Sequence, residues 1–335
     1  MNAPFFTILI PLFNASSFLE DCINSILQQK VNNFECIICD DNSIDCSFDM
    51  VKKLVHNDHR FKVYQIEHSG VAAVRNFLLK RASGQYIIWI DPDDFVEDDF
   101  LKHVEKILTE KFIDVLTFNF TIFDGRKKSQ FSLPFSEGKI DKEEIFRELA
   151  NDWPFPSQLW NKIIKRELYD NIEFPVEASI LEDFSVLPYI LNKANSFYHL
   201  DRYYYNYRKN PSSLLNVKET EKEIYQLKAR QRRLIYFMNF FPQFLDQCLS
   251  SWLISYFRTY CIKEQLGLQG DNKKNFINDL TSQFKTTKDL IKNEKINFKN
   301  RILLNINNKI VRTLLSTIYP ILLKNKKNIY KVFFD

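Results

Sequence analysis

Tyr86-Ile87-Ile88-Trp89-Ile90-Asp91-Pro92-Asp93-Asp94 sets a strand-length apolar run directly against three carboxylates and a proline. A β-branched and aromatic run without alternation suits a strand covered on both faces, and Asp-Pro-Asp-Asp reads as the turn after it. Working back toward the N-terminus, apolar runs alternate with helical stripes. Phe6 to Ile10 is expected to be a strand closed by Pro11. Leu19, Cys22, Ile23, Ile26 and Leu27 then share one helical face, with Ser17 and Glu20 spaced as a capping box. Cys36 to Cys39 reads as a second strand ending in Asp40-Asp41, Phe48 to Val55 as a helix, Lys62 to Ile66 as a third strand and Gly70 to Arg81 as a helix. Strands separated by helices imply a parallel sheet with right-handed crossovers, and its ligand crevice lies beyond the carboxyl ends of the strands.

Three of those ends are polar: Phe13-Asn14, Asp40-Asp41 and Asp91 to Asp94. Asp and Asn favour turns on their own account, so one such end means little. Three on neighbouring strands converge on one edge. An Asp-x-Asp turn fixed by a buried strand can direct one carboxylate to a ribose and another to a divalent cation bridging phosphate oxygens. Mn²⁺ or Mg²⁺ suits a site of that kind, made of oxygen ligands. The competing reading is a helix cap supplied by Asp93 or Asp94.

Beyond Leu101 the pattern predicts a helix to Glu110, a strand from Asp114 to Phe120 and a helix from Asp141. Trp153 to Lys162 is an aromatic loop broken by prolines, and Leu181 to Leu191 is helical, with Pro188 either kinking it or dividing it in two. Tyr203 to Tyr207 closes this part as a strand, and from Lys218 the chain reads as helices, placing a boundary near Asn216.

Composition excludes several classes. With 335 residues, 45% hydrophobic and 26% charged, the chain is a globular protein, and a net charge of +4 does not point to nucleic acid. Its six glycines form neither a dinucleotide fingerprint nor a phosphate loop, which argues against a dehydrogenase or kinase. A sugar nucleotidyltransferase would carry a basic, Gly-rich loop after the first strand, where Pro11-Leu12-Phe13-Asn14 stands instead. The six cysteines fit reduced, buried thiols, and Cys36 and Cys39, three apart in a strand, point to opposite faces and cannot share a metal. No secretion signal or membrane-length apolar run is seen, so a cytoplasmic location is expected.

The motifs together resemble the family 2 glycosyltransferases with the GT-A fold. Ile8 to Asn14 resembles the opening strand, with Phe13 where Tyr is usual. Ser25-Ile26-Leu27-Gln28-Gln29 resembles the end of the first helix. Ile37 to Asp45 is similar to the Asp-Asp-Gly-Ser-Thr-Asp turn, with Asn42 for Gly, a residue that tolerates the left-handed conformation. Gly70 to Asn76, Trp89 to Asp94, Leu159 to Lys162, Leu181 to Phe184 and Tyr203 to Ser213 complete the match.

The resemblance implies an α/β fold with a mainly parallel, Rossmann-like mixed sheet, a GT-A domain over 1–215 and a helical region over 216–335. Residues 1–100 would form the nucleotide-binding half and 101–215 the acceptor half. It implies an inverting transfer from a nucleotide-sugar donor, commonly a UDP-sugar, to a glycan or lipid-linked glycan, with a role in bacterial capsule, lipopolysaccharide or other surface polysaccharide. Pro11, Phe13 and Asp40 would border the base, with Asp41 assisting. Asp91 would meet the ribose, Asp93 the metal and Arg75 the diphosphate, although Arg75 could equally pair with a helix-borne acid. Asp183 or Glu182 would be the base, Glu182 otherwise lying on the acceptor side. Trp160 would be an acceptor platform or a core residue. The rival is a nucleotide-binding scaffold that keeps the fold without transfer.

Ile302, Ile306, Ile310, Leu314 and Ile318 recur near helical spacing in a tail carrying Lys309, Arg312, Lys324, Lys326, Lys327 and Lys331. Such a stretch, 301–335, either lies peripherally on an anionic membrane or packs inward with a solvated Lys side.

Overall fold

The computed structural model describes residues 3–125, 127–151, 157–177, 180–210, 220–262 and 268–305. Contacts divide the chain into two compact units, Met1–Leu149 with Trp153–Asn210, and Ala150–Asp152 with Pro211–Asp335. The boundary expected near Asn216 lies outside the described residues.

The first unit opens with the alternation read above: β1 (Phe6–Leu12), α1 (Leu19–Leu27), β2 (Phe34–Asp40), α2 (Ser47–Leu54), β3 (Phe61–Gln65), α3 (Val71–Leu79) and β4 (Tyr86–Trp89). There follow β5 (Phe95–Val96), α4 (Phe100–Lys111), β6 (Val115–Phe123), β7 (Lys128–Phe131), β8 (Gly138–Ile140), α5 (Lys142–Ala150), β9 (Lys162–Lys165), α6 (Glu182–Lys193) and β10 (Phe197–Arg208). One sheet runs β3-β2-β1-β4-β9-β6-β10-β5, with β7 on β6 and β8 on β10. Its β3-β2-β1-β4 part is parallel, and β9 enters antiparallel between β4 and β6.

β1, β2 and β4 are buried along their whole length, as their predominantly apolar runs require, and the buried Thr7 hydroxyl donates to Glu35 Oε1 at 2.8 Å. Gly84 precedes β4 where a Cβ would lie 2.6 Å from the Phe6 carbonyl carbon and the Thr7 nitrogen, so only glycine lets the chain enter beside β1. Cys36 and Cys39 are buried free thiols on β2, while Cys46 is exposed, unlike the buried thiols expected.

Several expectations change in detail. The strand of β1 runs through Pro11 to Leu12. No capping box forms at α1: its cap is Phe18, without a side-chain bond. The loop before it is latched instead to the turn after β2, because Asn14 N donates to Ser43 Oγ, Ala15 N to Ser47 Oγ and Ser16 N to Asp45 Oδ2. Asn42 takes φ 59°, as its place in that turn predicted. Pro188 sits inside one continuous α6. The last strand begins at Phe197, earlier than Tyr203, and shifts register on β6 between Leu200 and Tyr205.

The second unit is helical: α7 (Thr220–Phe240), α8 (Leu245–Ile262), α9 (Gly270–Leu290) and α10 (Phe298–Asn305). Trp252 stacks on Tyr256 at 5.5 Å, and Tyr256 meets Phe284 at 4.8 Å, which ties α8 to α9. Asp246 accepts hydrogen bonds from Asn297 N and Asn300 Nδ2, both at 2.9 Å, and so fixes the start of α10. Of the basic tail, residues 306–335 lie outside the described residues. No described helix is long and apolar enough to cross a membrane.

Candidate active site

The carboxyl ends of β1, β2 and β4 form one edge, since Leu12 pairs with Asp40 and Ile90 N donates to Leu9 O. At the β1–β2 end, Phe13 is 39% exposed and stacks on His68 with ring centroids 4.8 Å apart. His68 Nδ1 lies 2.9 Å from Asp41 Oδ2. Both carboxylates behind this aromatic pair are buried and engaged. Asp40 accepts from Ser43 N, Ser43 Oγ and Gln65 Nε2, and Asp41 from Ser69 N and Gly70 N. Thus Asp40 builds the turn and Asp41 holds the entry to α3. The exposed faces of the slot belong to Phe13 and His68, a residue that no motif had singled out. Pro11, expected to border a base, is buried within β1.

The acidic turn after β4 is clamped by β10. Asp94 N closes the turn onto Asp91 O at 3.1 Å. Tyr205 OH accepts from Asp91 N at 3.1 Å and donates to Asp94 Oδ2 at 2.7 Å. Arg208 N donates to Asp94 Oδ1, and Arg208 Nε to Asp93 O. Asp94 is therefore a buried structural carboxylate. Burial and the charges of Asp93 and Asp91 push its proton affinity well up.

Asp93 accepts from Asn210 Nδ2 at 3.2 Å and is also raised, chiefly by burial. Asp91 keeps 29% side-chain exposure and lies 3.5 Å from Arg75 Nη2. Enclosure by protein raises Asp91 to about 6 although Arg75 draws it down.

Trp160 is 3% exposed and stacks on Tyr205 at 4.6 Å and on Tyr207 at 5.6 Å. It backs the tyrosine that clamps the turn. The open acceptor platform is thus corrected to a core tryptophan, because its ring is needed behind Tyr205.

Arg75 is corrected too. Instead of facing a diphosphate, it is buried, with Nε donating to Glu182 Oε1 at 2.9 Å and its guanidinium 4.8 Å from the Trp89 ring. A buried cation needs a paired anion, and Glu182 at the start of α6 supplies it. Glu182 is thereby withdrawn from the acceptor role. Asp183 accepts from Phe184 N and, among the described residues, has no cation in an ion pair. Burial first, then the neighbouring Glu182 charge, raises it to about 7.

No three described His, Cys, Asp or Glu side chains converge as a ready-made metal site. The donor set fits a hard cation that takes one carboxylate, Asp93, and completes its shell with ligand phosphates. Arg208, anchored to Asp21 at 2.7 Å, is a second charge beside the turn that strand spacing alone did not mark as functional.

Residues 7–187 match the family described as Glycosyl transferase family 2. Glycosyltransferase GlyA of Streptococcus pneumoniae is 27% identical over 66% of this chain and 33% of its own length. The uncharacterized glycosyltransferase EpsJ of Bacillus subtilis is 26% identical over 64% of each chain. The chain therefore spans a third of one such relative and just under two thirds of the other. A crystal structure of Staphylococcus aureus TarS residues 1–349 in complex with UDP is similar in fold, with a TM-score of 0.70, 21% identity, and coverage of 96% of this chain and 91% of that one. The same fragment in complex with UDP-GlcNAc gives a TM-score of 0.68 at 22% identity, covering 84% and 81%. With a match extending over more than half its length and the GT-A architecture in place, the chain belongs to glycosyltransferase family 2.

Proposed function

We propose that this protein transfers a sugar, with inversion, from a nucleotide-sugar donor of the UDP class to a hydroxyl of a glycan acceptor. One observation carries this reading: the buried Asp91–Arg75–Glu182 cluster joins the acidic turn to the start of α6, beside an uncommitted Asp183. The slot at Phe13 and His68 offers aromatic faces for a base, and Asp91 a partly exposed carboxylate for the ribose.

The acceptor oxygen attacks the anomeric carbon as the bond to the diphosphate breaks. The electron pair leaves with the diphosphate and the hydroxyl proton passes to Asp183. A carboxylate whose affinity lies near neutrality is matched to that task. When bound at Asp93, Mn²⁺ or Mg²⁺ would supply Lewis-acid stabilisation of the departing phosphates. Arg208 adds a fixed guanidinium on the same side of the turn.

UDP as carrier is supported by the TarS structures of similar fold, which are complexes with UDP and with UDP-GlcNAc. A polymeric acceptor is supported by TarS, a poly(ribitol-phosphate) β-N-acetylglucosaminyltransferase that is 24% identical over 66% of this chain, and a surface polysaccharide, glycan or lipid-linked, is the acceptor proposed.

A panel of nucleotide sugars tests the proposal. One UDP-sugar is expected to raise the melting temperature and to be hydrolysed only with Mn²⁺ or Mg²⁺. Stabilisation by nucleotide without turnover of any donor or acceptor would favour the scaffold alternative.

Peripheral contact with the inner face of the cell membrane is supported by α10, which exposes Phe298 and Ile302 beside Lys299 and Arg301. Deleting 301–335 is expected to release the protein from anionic liposomes, and undiminished binding would dismiss the contact.

A further inference from the structure

Arg75 is shared by two parts of the chain that meet nowhere in sequence. It reaches Asp91 after β4 and Glu182 on α6 with different nitrogens, while Nη1 is buried without a hydrogen-bond partner. The side chains of Arg75 and Glu182 keep only 7% and 8% exposure. A buried pair of this kind seldom adds stability over apolar residues of the same shape, so stability is a weak reason for its presence. The adjoining backbone is costly as well: Leu181, directly before Glu182, takes φ 59° and ψ 30°, the left-handed region that a leucine rarely adopts. The residue after Arg75 on α3 is also latched. Asn76 clamps the Phe174 backbone from both sides at 2.8 Å, steadying the segment that leads toward α6.

We infer that Arg75 and Glu182 are positioning residues, a single ion pair that anchors the first turn of α6, and with it Asp183, to the donor turn. This rests on Asp183 as the base. The charges that act on Asp183 are those of its helix neighbour Glu182, of Arg75 from α3, which lies 2.9 Å from Glu182, and of Asp91 at the end of β4, 3.5 Å from Arg75. Glu182 and Asp91 favour the protonated form and Arg75 the carboxylate. Removing the Glu182 charge while Arg75 keeps its own must therefore make Asp183 a weaker base. Removing both must restore much of the balance.

The test is the pH dependence of hydrolysis of the UDP-sugar identified by the panel, with water accepting the sugar and its proton passing to Asp183. Glu182→Gln, close in shape and still able to accept from Arg75, is expected to move the acid limb down by about one unit. Adding Arg75→Met to it should move the limb back up toward the wild type. Arg75→Lys should lower the rate through loss of the forked geometry while leaving the limb near its wild-type position.

Variants that fold, shown by unchanged melting transitions, and lose activity with the limb fixed would overturn the inference. So would a limb that moves upward in Glu182→Gln. If Arg75→Met/Glu182→Gln does not fold, the direction in Glu182→Gln alone decides. Asp183→Asn separates the two levels: activity near that of the wild type there removes the base, whereas a loss of about 10²-fold or more in Asp183→Asn with immobile limbs in the others removes only the positioning pair.

Discussion

Asp183→Asn is expected to abolish sugar transfer, lowering kcat by about 10²–10⁴-fold, while nucleotide affinity is retained. The amide keeps the shape and can still accept from Phe184 N, so folding is preserved and only the proton acceptor is lost. The wild-type rate carries its own signature. Burial and the Glu182 charge hold Asp183 at about 7, above the ordinary carboxylate range, and the carboxylate form is the active one. Activity should therefore be full above that value and fall as pH drops through it. A limb far below it, near the affinity of an ordinary Asp, would mean that a different group accepts the proton. Equal kcat in Asp183→Asn, measured with a saturating acceptor, would discard Asp183 altogether.

Asp93→Ala should reduce kcat by about 10²–10³-fold and remove the tightening of nucleotide binding by Mn²⁺. The reasoning starts from burial. A carboxylate enclosed by protein, with its affinity raised and a neutral side-chain amide as partner, gains most from a cation. Calorimetric titration of UDP with and without Mn²⁺ reads this directly. Wild-type affinity should depend on the metal and that of Asp93→Ala should not. Persistence of the metal effect would place the cation elsewhere. Asp94 is unsuitable for this test although it is adjacent. Its oxygens accept from Tyr205 OH and Arg208 N, so its loss would loosen the turn itself and confound chemistry with folding.

The site residues were legible in the chain to different degrees. Phe13, Asp91, Asp93 and Asp183 stand at strand ends or a helix start, where local pattern reveals exposure and turn chemistry. Asp40 and Asp41 were recognisable as a strand end, yet their oxygens are taken by Ser43, Gln65, Ser69 and Gly70. Trp160 could be an open platform or a packed ring on sequence alone, and Tyr205 decides for the second. His68 stood in no motif, and Tyr205 and Arg208 lay within the Tyr203–Ser213 match without a role assigned to them, because a residue that acts by holding a distant backbone leaves no spacing rule. β9 was not foreseen, only its first residue, Lys162, falling at the end of the expected loop, since a four-residue strand between two others is specified by its neighbours.

By itself the sequence determined the alternation of strands and helices, the acidic corner after the fourth strand and the change to helices in the last third. These follow from local periodicity and turn preference, which act over a few residues. Only the tertiary structure decided which carboxylate is paired and which is left to react. Arg75 meets Glu182 across 107 positions and Arg208 meets Asp94 across 114. Choosing among several acids depends on distance and burial in three dimensions, where a buried charge must find its counter-ion whatever the separation along the chain.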